Sequence, residues 1–248
     1  MNESNSQMSC KVVKNIYNFQ TFPSQGKLSE NIDLSLVNLL KHIDKNENDN
    51  STVFAYTIDT VTYNGVELQQ TGCAPNFQGD FITLCNCKHM MRARNEKKEF
   101  WKNNWIAGIC SKKGKCNALF YLMKISDALV SHYDMWNYLP LTTRKFKSTH
   151  GNIYGDVFEP IRKLSLEEQY SRKNYKDVCK NHRHNRVSDI KYDIEQKFWG
   201  RYPFLLIGYP ENSFIWKTPL IVSEYRKKTK FRQKDFEFGE FIEQLNFF

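Results

Sequence analysis

No apolar run in this chain approaches the roughly 18 residues that a membrane-spanning helix needs, and residues 1–26 are polar, without the apolar core of a secretory leader. Neither a leader nor a membrane partner is therefore expected, and a cytoplasmic, reducing setting follows. The chain also lacks a Walker loop, a G-x-G-x-x-G turn, an H-E-x-x-H helix and a G-x-S-x-G elbow. Common nucleotide hydrolysis, dinucleotide-cofactor chemistry and serine hydrolysis thus have no motif behind them, and no cofactor is expected. There is no internal repeat. Glycine (11) and proline (7) are scarce among the 248 residues, so the places where they gather are informative. The seven cysteines are odd in number, which in a chain without a leader favours free or metal-bound thiols over a disulfide framework.

What is abundant is positive charge and aromatic surface. Lys and Arg number 36 against 27 Asp and Glu, which favours an anionic partner. The 18 Phe, 13 Tyr and 5 Trp supply core material and also flat surfaces on which a base can stack. A polar lead-in over 1–29, loosely ordered, is expected to precede a single α+β domain over 30–248. Residues 32–43 carry a helical apolar stripe. Residues 53–58 and 105–110 read as strands, and 118–125 as the hairpin partner of the latter. A helix is expected to begin at Ser126-Asp127 and to close at Pro140. The polar stretch 164–193 reads as a long excursion, 204–209 as a strand, 220–222 as a short apolar run, and 236–245 as a closing helix.

The scarce turn formers gather in Gly72-Cys73-Ala74-Pro75-Asn76-Phe77-Gln78-Gly79-Asp80, which reads as a shaped loop. Alternation then predicts a strand over 81–89 with Cys85, Cys87 and His89 on one face. Side chains at successive same-face positions stand about 7 Å apart, too far for neighbouring ligands on one tetrahedral zinc, so no metal is expected. A cysteine nucleophile with His89 as its base is a further possibility, and buried thiols in an ordinary hairpin compete with it.

Charge gathers most densely in 225–234, where Arg226, Lys227, Lys228, Lys230 and Arg232 alternate with aromatic residues. Such a run can hold a nucleic-acid backbone, or it is a solvated segment. Weaker versions occur at 144–147 and 182–186. Among the few carboxylates near the loop, Asp59 ends a strand and is the candidate catalytic base, with an ordinary turn aspartate as the competing reading.

The order of these motifs resembles the second type of nucleotide-modification-associated domain. The likeness is carried by 54–59, Gly72-Cys73-Ala74-Pro75-Asn76-Phe77 with Gly79, Thr83-Leu84, Cys87-Lys88, Arg92, Trp105-Ile106 with Gly108, 119–125, Tyr133 with Trp136, and Asn152-Ile153-Tyr154. The chain departs from that pattern at Asn103-Asn104 and His150-Gly151, each standing where a Gly-Asp is usual, and at Phe77, where a proline is usual. The resemblance implies a setting of DNA base modification or phage defence and counter-defence. The unit from Trp105 to the expected helix is also similar to PUA-like domains of the EVE and ASCH kind, which implies a mixed or antiparallel sheet curled into a barrel with flanking helices. Members of that group hold a nucleobase in an aromatic pocket.

Together these readings favour a nucleic-acid-associated protein that binds a modified nucleobase or a nucleotide, with DNA ahead of RNA. Tyr56, Phe77 and Trp105 would stack on the base, Asn76, Asn152 and Tyr154 would line the site, and Lys88 and Arg92 would meet phosphate. The alternatives are an enzyme that modifies or excises a base, with Asp59 acting beside Lys88 and Arg92, and a protein-interaction factor of a phage–host conflict.

Overall fold

A computed structural model describes residues 20, 22–43, 50–63, 66–70, 72–110, 117–180, 182, 187–223, 225 and 233–247. Branched and aromatic residues dominate β1 (Thr52–Ile58) and β5 (Trp105–Cys110), which pair in parallel. Two short strands, β2 (Val61–Tyr63) and β3 (Leu68–Gln70), form a separate antiparallel ribbon. β4 (Thr83–Leu84), β6 (Ala118–Leu129), β7 (Leu205–Val222), β8 (Gln233–Glu237) and β9 (Leu245–Phe247) complete the main sheet in the order β4-β7-β6-β5-β1-β8, with β9 on β7. All pairs except β1–β5 are antiparallel. The class is thus α+β with a mixed sheet. That sheet is open, because no pairing joins β4 to β8 among the described residues, and the expected closure into a barrel is not seen.

Alternation along β1 feeds a core on each face of the sheet. Phe54, Tyr56 and Ile58 pack with Phe77, Ile82, Met91, Trp101 and Phe120 on one side. Val53 and Ala55 pack with Trp105, Phe214 and Trp216 on the other. That second face is covered by α1 (Leu36–Ile43), through Leu39 and Ile43, and by α6 (Phe238–Glu243), through Phe238 and Phe241. The two-residue period therefore sets which residues meet which layer.

Several expected boundaries move, each for a visible reason. β6 runs through Ser126-Asp127 to Leu129 because its pairing with β7 continues at Asp127, Ala128 and Leu129 across register shifts. The helix α3 (His132–Tyr138) begins only where the Ser131 hydroxyl accepts the Asp134 N–H at 3.1 Å. A second helix, α4 (Leu141–Lys147), follows Pro140. The two apolar runs at 204–209 and 220–222 belong to the single strand β7. The closing segment is a strand, a short helix and a strand rather than one helix.

The lead-in is not loose where it is described. Gln20 is buried and donates to Gly72 O and Pro75 O, and Leu28 is fully buried while its N–H donates to Asp80 at 2.8 Å. The expected excursion over 164–193 carries α5 (Val187–Glu195), whose Ile190 and Ile194 pack with Phe158, Leu164 and Tyr175 in a core of their own. No helix among the described residues is long and apolar enough to cross a membrane. Cys73, Cys85, Cys87 and Cys110 are free thiols, whereas Cys179 is disulfide-bonded, against the expectation of free or metal-bound thiols.

Candidate functional site

The chain does not stay extended to residue 89. Cys87 and Lys88 have φ of 62° and 52°, left-handed values uncommon for such residues, and they turn the backbone into α2 (His89–Arg92). Arg92 makes that turn possible. Its Nε donates to Cys87 O at 2.9 Å, one terminal nitrogen to Cys85 O at 2.8 Å and the other to Phe204 O. The side chain is 1% exposed, and burial lowers its pKa. Arg92 is therefore a staple between a turn and the residue that precedes β7, not the phosphate contact expected of it, and Cys85, Cys87 and His89 do not share a strand face.

Most of the other expected ligand residues are also inside. Tyr56 (2% exposed), Phe77 (1%) and Trp105 (1%) lie in the cores, with Tyr121 donating to the Tyr56 hydroxyl at 3.0 Å and Phe238 stacked on Trp105. None of these rings offers a face to a base. Burial pushes the Tyr56 and Tyr121 hydroxyls well above the usual phenol value. Asp59 lies exposed in the turn between β1 and β2. Arg226, Lys227, Lys228, Lys230 and Arg232 lie outside the described residues.

Asn76, Asn152 and Tyr154 join two loops over two buried side chains of opposite charge, Lys147 and Asp156. Lys147 is fully buried, and its ammonium donates to Asn76 O at 2.8 Å, Asn76 Oδ1 at 2.7 Å and Phe81 O at 2.6 Å. Asn76 Nδ2 donates to Tyr154 O at 2.7 Å, and Asn152 Oδ1 accepts the Tyr154 N–H at 2.9 Å. Asp156, also fully buried, accepts from the Thr83 hydroxyl at 2.9 and 3.0 Å. Burial raises Asp156 to about 6 and lowers Lys147 to about 8, with their mutual attraction opposing both shifts. Burial pushes Cys87 to about 12 and Cys73 and Cys85 well up, the opposite of the lowered pKa that an activated thiol nucleophile needs. Among the described residues no group of three or more His, Cys, Asp and Glu side chains could hold a metal ion.

What the turn at Cys87-Lys88 does expose is a cleft of about 400 Å³, lined by Lys88, His89, Arg94, Tyr192, Phe198 and Trp199 together with Met90, Met91 and Gln233. The His89 imidazole is bonded through Nε2 to Asp193, whose side chain is buried, and lies parallel to Phe198 at 5.5 Å and edge-on to Tyr192 at 5.1 Å. Lys88 Nζ stands 5.2 Å from the Tyr56 ring centroid. Arg94 is held by Asp235 and by the Phe54 ring, 5.0 Å away, and its remaining donors have no partner among the described residues.

Trp199 is the most telling member. Phe198 and Arg201 exchange backbone hydrogen bonds of 2.8 and 3.0 Å around Trp199-Gly200, whose φ values are 50° and 80°. A two-residue turn with both φ positive ordinarily carries Asn-Gly, and a bulky residue at its first position is strained. Trp199 is nevertheless 60% exposed at that tip.

Of the residues singled out in the sequence, Lys88 and His89 are the ones among the described residues that line this cleft. Arg94, Tyr192, Asp193, Phe198 and Trp199 were not foreseen. The signal that could have found them is Phe198-Trp199-Gly200 between Lys197 and Arg201, a hairpin tip with an aromatic where a turn former is normal. Compared with protein-family models, with curated proteins and with solved structures, the chain gives no match.

Proposed function

We propose that the cleft beside α2 holds an unstacked nucleobase or nucleotide of a nucleic acid, DNA ahead of RNA, with the base on Trp199 and phosphate on Lys88 and Arg94. The observation that carries this reading is the strained, exposed Trp199 facing a cleft with two cationic side chains. Aromatic faces take any base, and cations at the rim track a backbone. Gln233, which lines the cleft, directly follows Arg232 of the basic run in sequence. The resemblance to nucleotide-modification-associated domains supports a modified base as the ligand and a base-modification or phage-conflict setting.

Fluorescence anisotropy with oligonucleotides bearing modified and unmodified bases, over a salt series, tests it. Trp199→Ala weakens binding by about 1–3 kcal/mol, the usual worth of one stacked base. Lys88→Ala with Arg94→Ala reduces the log–log salt slope by about 1.4 for single strands or 1.8 for duplex. Unchanged affinity and slope in both variants would end the proposal.

One observation favours a catalytic reading of the same cleft. A buried carboxylate that orients a histidine, as Asp193 orients His89, is the arrangement a general base requires. Mass spectrometry of nucleosides after incubation with nucleic acid, alongside His89→Asn, checks it: a product lost with that variant supports the reading, and no product from any substrate removes it.

A further inference from the structure

The loop that gathers the glycines and prolines lines a different cavity, of about 740 Å³, between that loop, residues 22–26 and α4. Its volume lies within the range of small-molecule sites. We infer that this second cavity binds a small organic amine in its ammonium form, through the Asp80 carboxylate and the faces of Phe81 and Phe146.

Charge is the first reason. The chain has 36 Lys and Arg, yet among the described residues lining this cavity Asp80 is the one charged side chain. Asp80 Oδ1 accepts the Leu28 N–H at 2.8 Å, and its second oxygen accepts nothing from the described residues. A carboxylate in the wall of a roomy cavity, with no basic side chain among the described residues that line it, selects a cationic donor.

Rigidity is the second. Asp80 sits in the left-handed region at φ 65°, next to Gly79 at φ 72°. Its carboxylate lies against Gly26, where an added Cβ would fall 2.4 Å from Asp80 Cγ. Beneath the loop the buried Lys147 ammonium clamps Asn76 O, Asn76 Oδ1 and Phe81 O, and Thr143 Oγ1 bonds Gly79 O at 3.1 Å. A buried charge dedicated to one surface loop fixes the loop's shape in advance of a ligand.

Aromatic surface is the third. Phe22 is already engaged, by Phe77 at 5.1 Å and by Lys217 Nζ at 4.9 Å. Phe146 remains, 48% exposed, and Phe81, packed in part against the cluster of Met135 and Leu205, lines the same cavity. An ammonium between a carboxylate and ring faces gains from both.

Benzylamine and its neutral analogue benzyl alcohol, titrated against the full chain by calorimetry and by NMR, separate the outcomes. Benzylamine binds about tenfold more tightly than the alcohol, as a hydrogen bond to a charged acceptor implies. Asp80→Asn keeps an oxygen for the Leu28 N–H, so the fold persists, and the preference collapses to parity. Phe146→Ala, on an exposed ring, weakens benzylamine severalfold without moving the melting temperature. Equal binding of amine and alcohol, a preference that survives Asp80→Asn, or no binding of benzylamine would each overturn the inference.

Discussion

Arg92 separates the structural account from the role that its charge suggests. Its guanidinium is the donor to Cys85 O, Cys87 O and Phe204 O, and no other backbone donor reaches these carbonyls among the described residues. Arg92→Met retains an apolar stem and removes all of those donors. Cys85 (0% exposed) and Phe204 (7%) lie away from water, while Cys87 is only half-buried and can recover a water. Two stranded carbonyls at about 1–3 kcal/mol each place the loss near 4 kcal/mol, and Arg92→Lys, whose ammonium cannot reproduce the fork, loses about 2–3 kcal/mol. Urea denaturation with unchanged m reads these values directly. In a chain of this size a loss of 4 kcal/mol lowers the melting temperature by roughly 8–16 °C. A phosphate ligand behaves oppositely: lysine retains its charge, stability holds and the salt slope of oligonucleotide binding changes. Full stability of Arg92→Met to within about 1 kcal/mol, below the cost of even one orphaned carbonyl pair, refutes the staple.

Trp199→Asn suits a left-handed turn position better than tryptophan, so it raises stability by about 0.5–1 kcal/mol while weakening oligonucleotide binding, and a fall in the urea midpoint contradicts the strained display of Trp199. Gly108→Ala places a methyl 2.2 Å from Tyr121 Cε1 and 2.4 Å from Ile58 Cδ1, a loss of about 1–3 kcal/mol or more in the same assay. Asp156 binds its proton more tightly when folded, at about 6 against 3.8, so its contribution to stability grows as pH falls through 6 toward 3.8. Lys147 binds its proton less tightly when folded, at about 8 against 10.5, so its contribution grows as pH rises from 8 toward 10.5. Urea midpoints across pH, with Asp156→Asn removing the acid limb, check both signs.

The sheet was legible because its signals are local and repeated. The branched and aromatic content of 53–58, the fully apolar 105–110 and the turn after it identify β1 and β5 without any knowledge of partners. Ser126-Asp127 was misread because strand pairing with β7, a contact across about eighty residues of chain, overrides a local capping signal. Cys87 and Lys88 were misread because neither residue type announces a left-handed backbone, and the side chain that stabilises it, Arg92, is itself recognised only once the chain has turned. The shaped loop at 72–80 was legible as a loop, but which of its side chains face outward was not. Asn76 and Phe77 turn inward to Lys147 and the core, and Asp80 and Phe81 reach the cavity. The cleft around Trp199 joins residues 88–94 to residues 192–199, and no pattern in either segment points to the other.

Photo-crosslinking tests the central claim most directly. An oligonucleotide carrying 5-iodouracil is irradiated with the protein, and the adduct is mapped by peptide mass spectrometry. The account predicts adducts on Trp199 or Tyr192, reduced by Lys88→Ala with Arg94→Ala. Adducts confined to peptides outside 188–201, or no adduct under conditions where binding is measured, would contradict it.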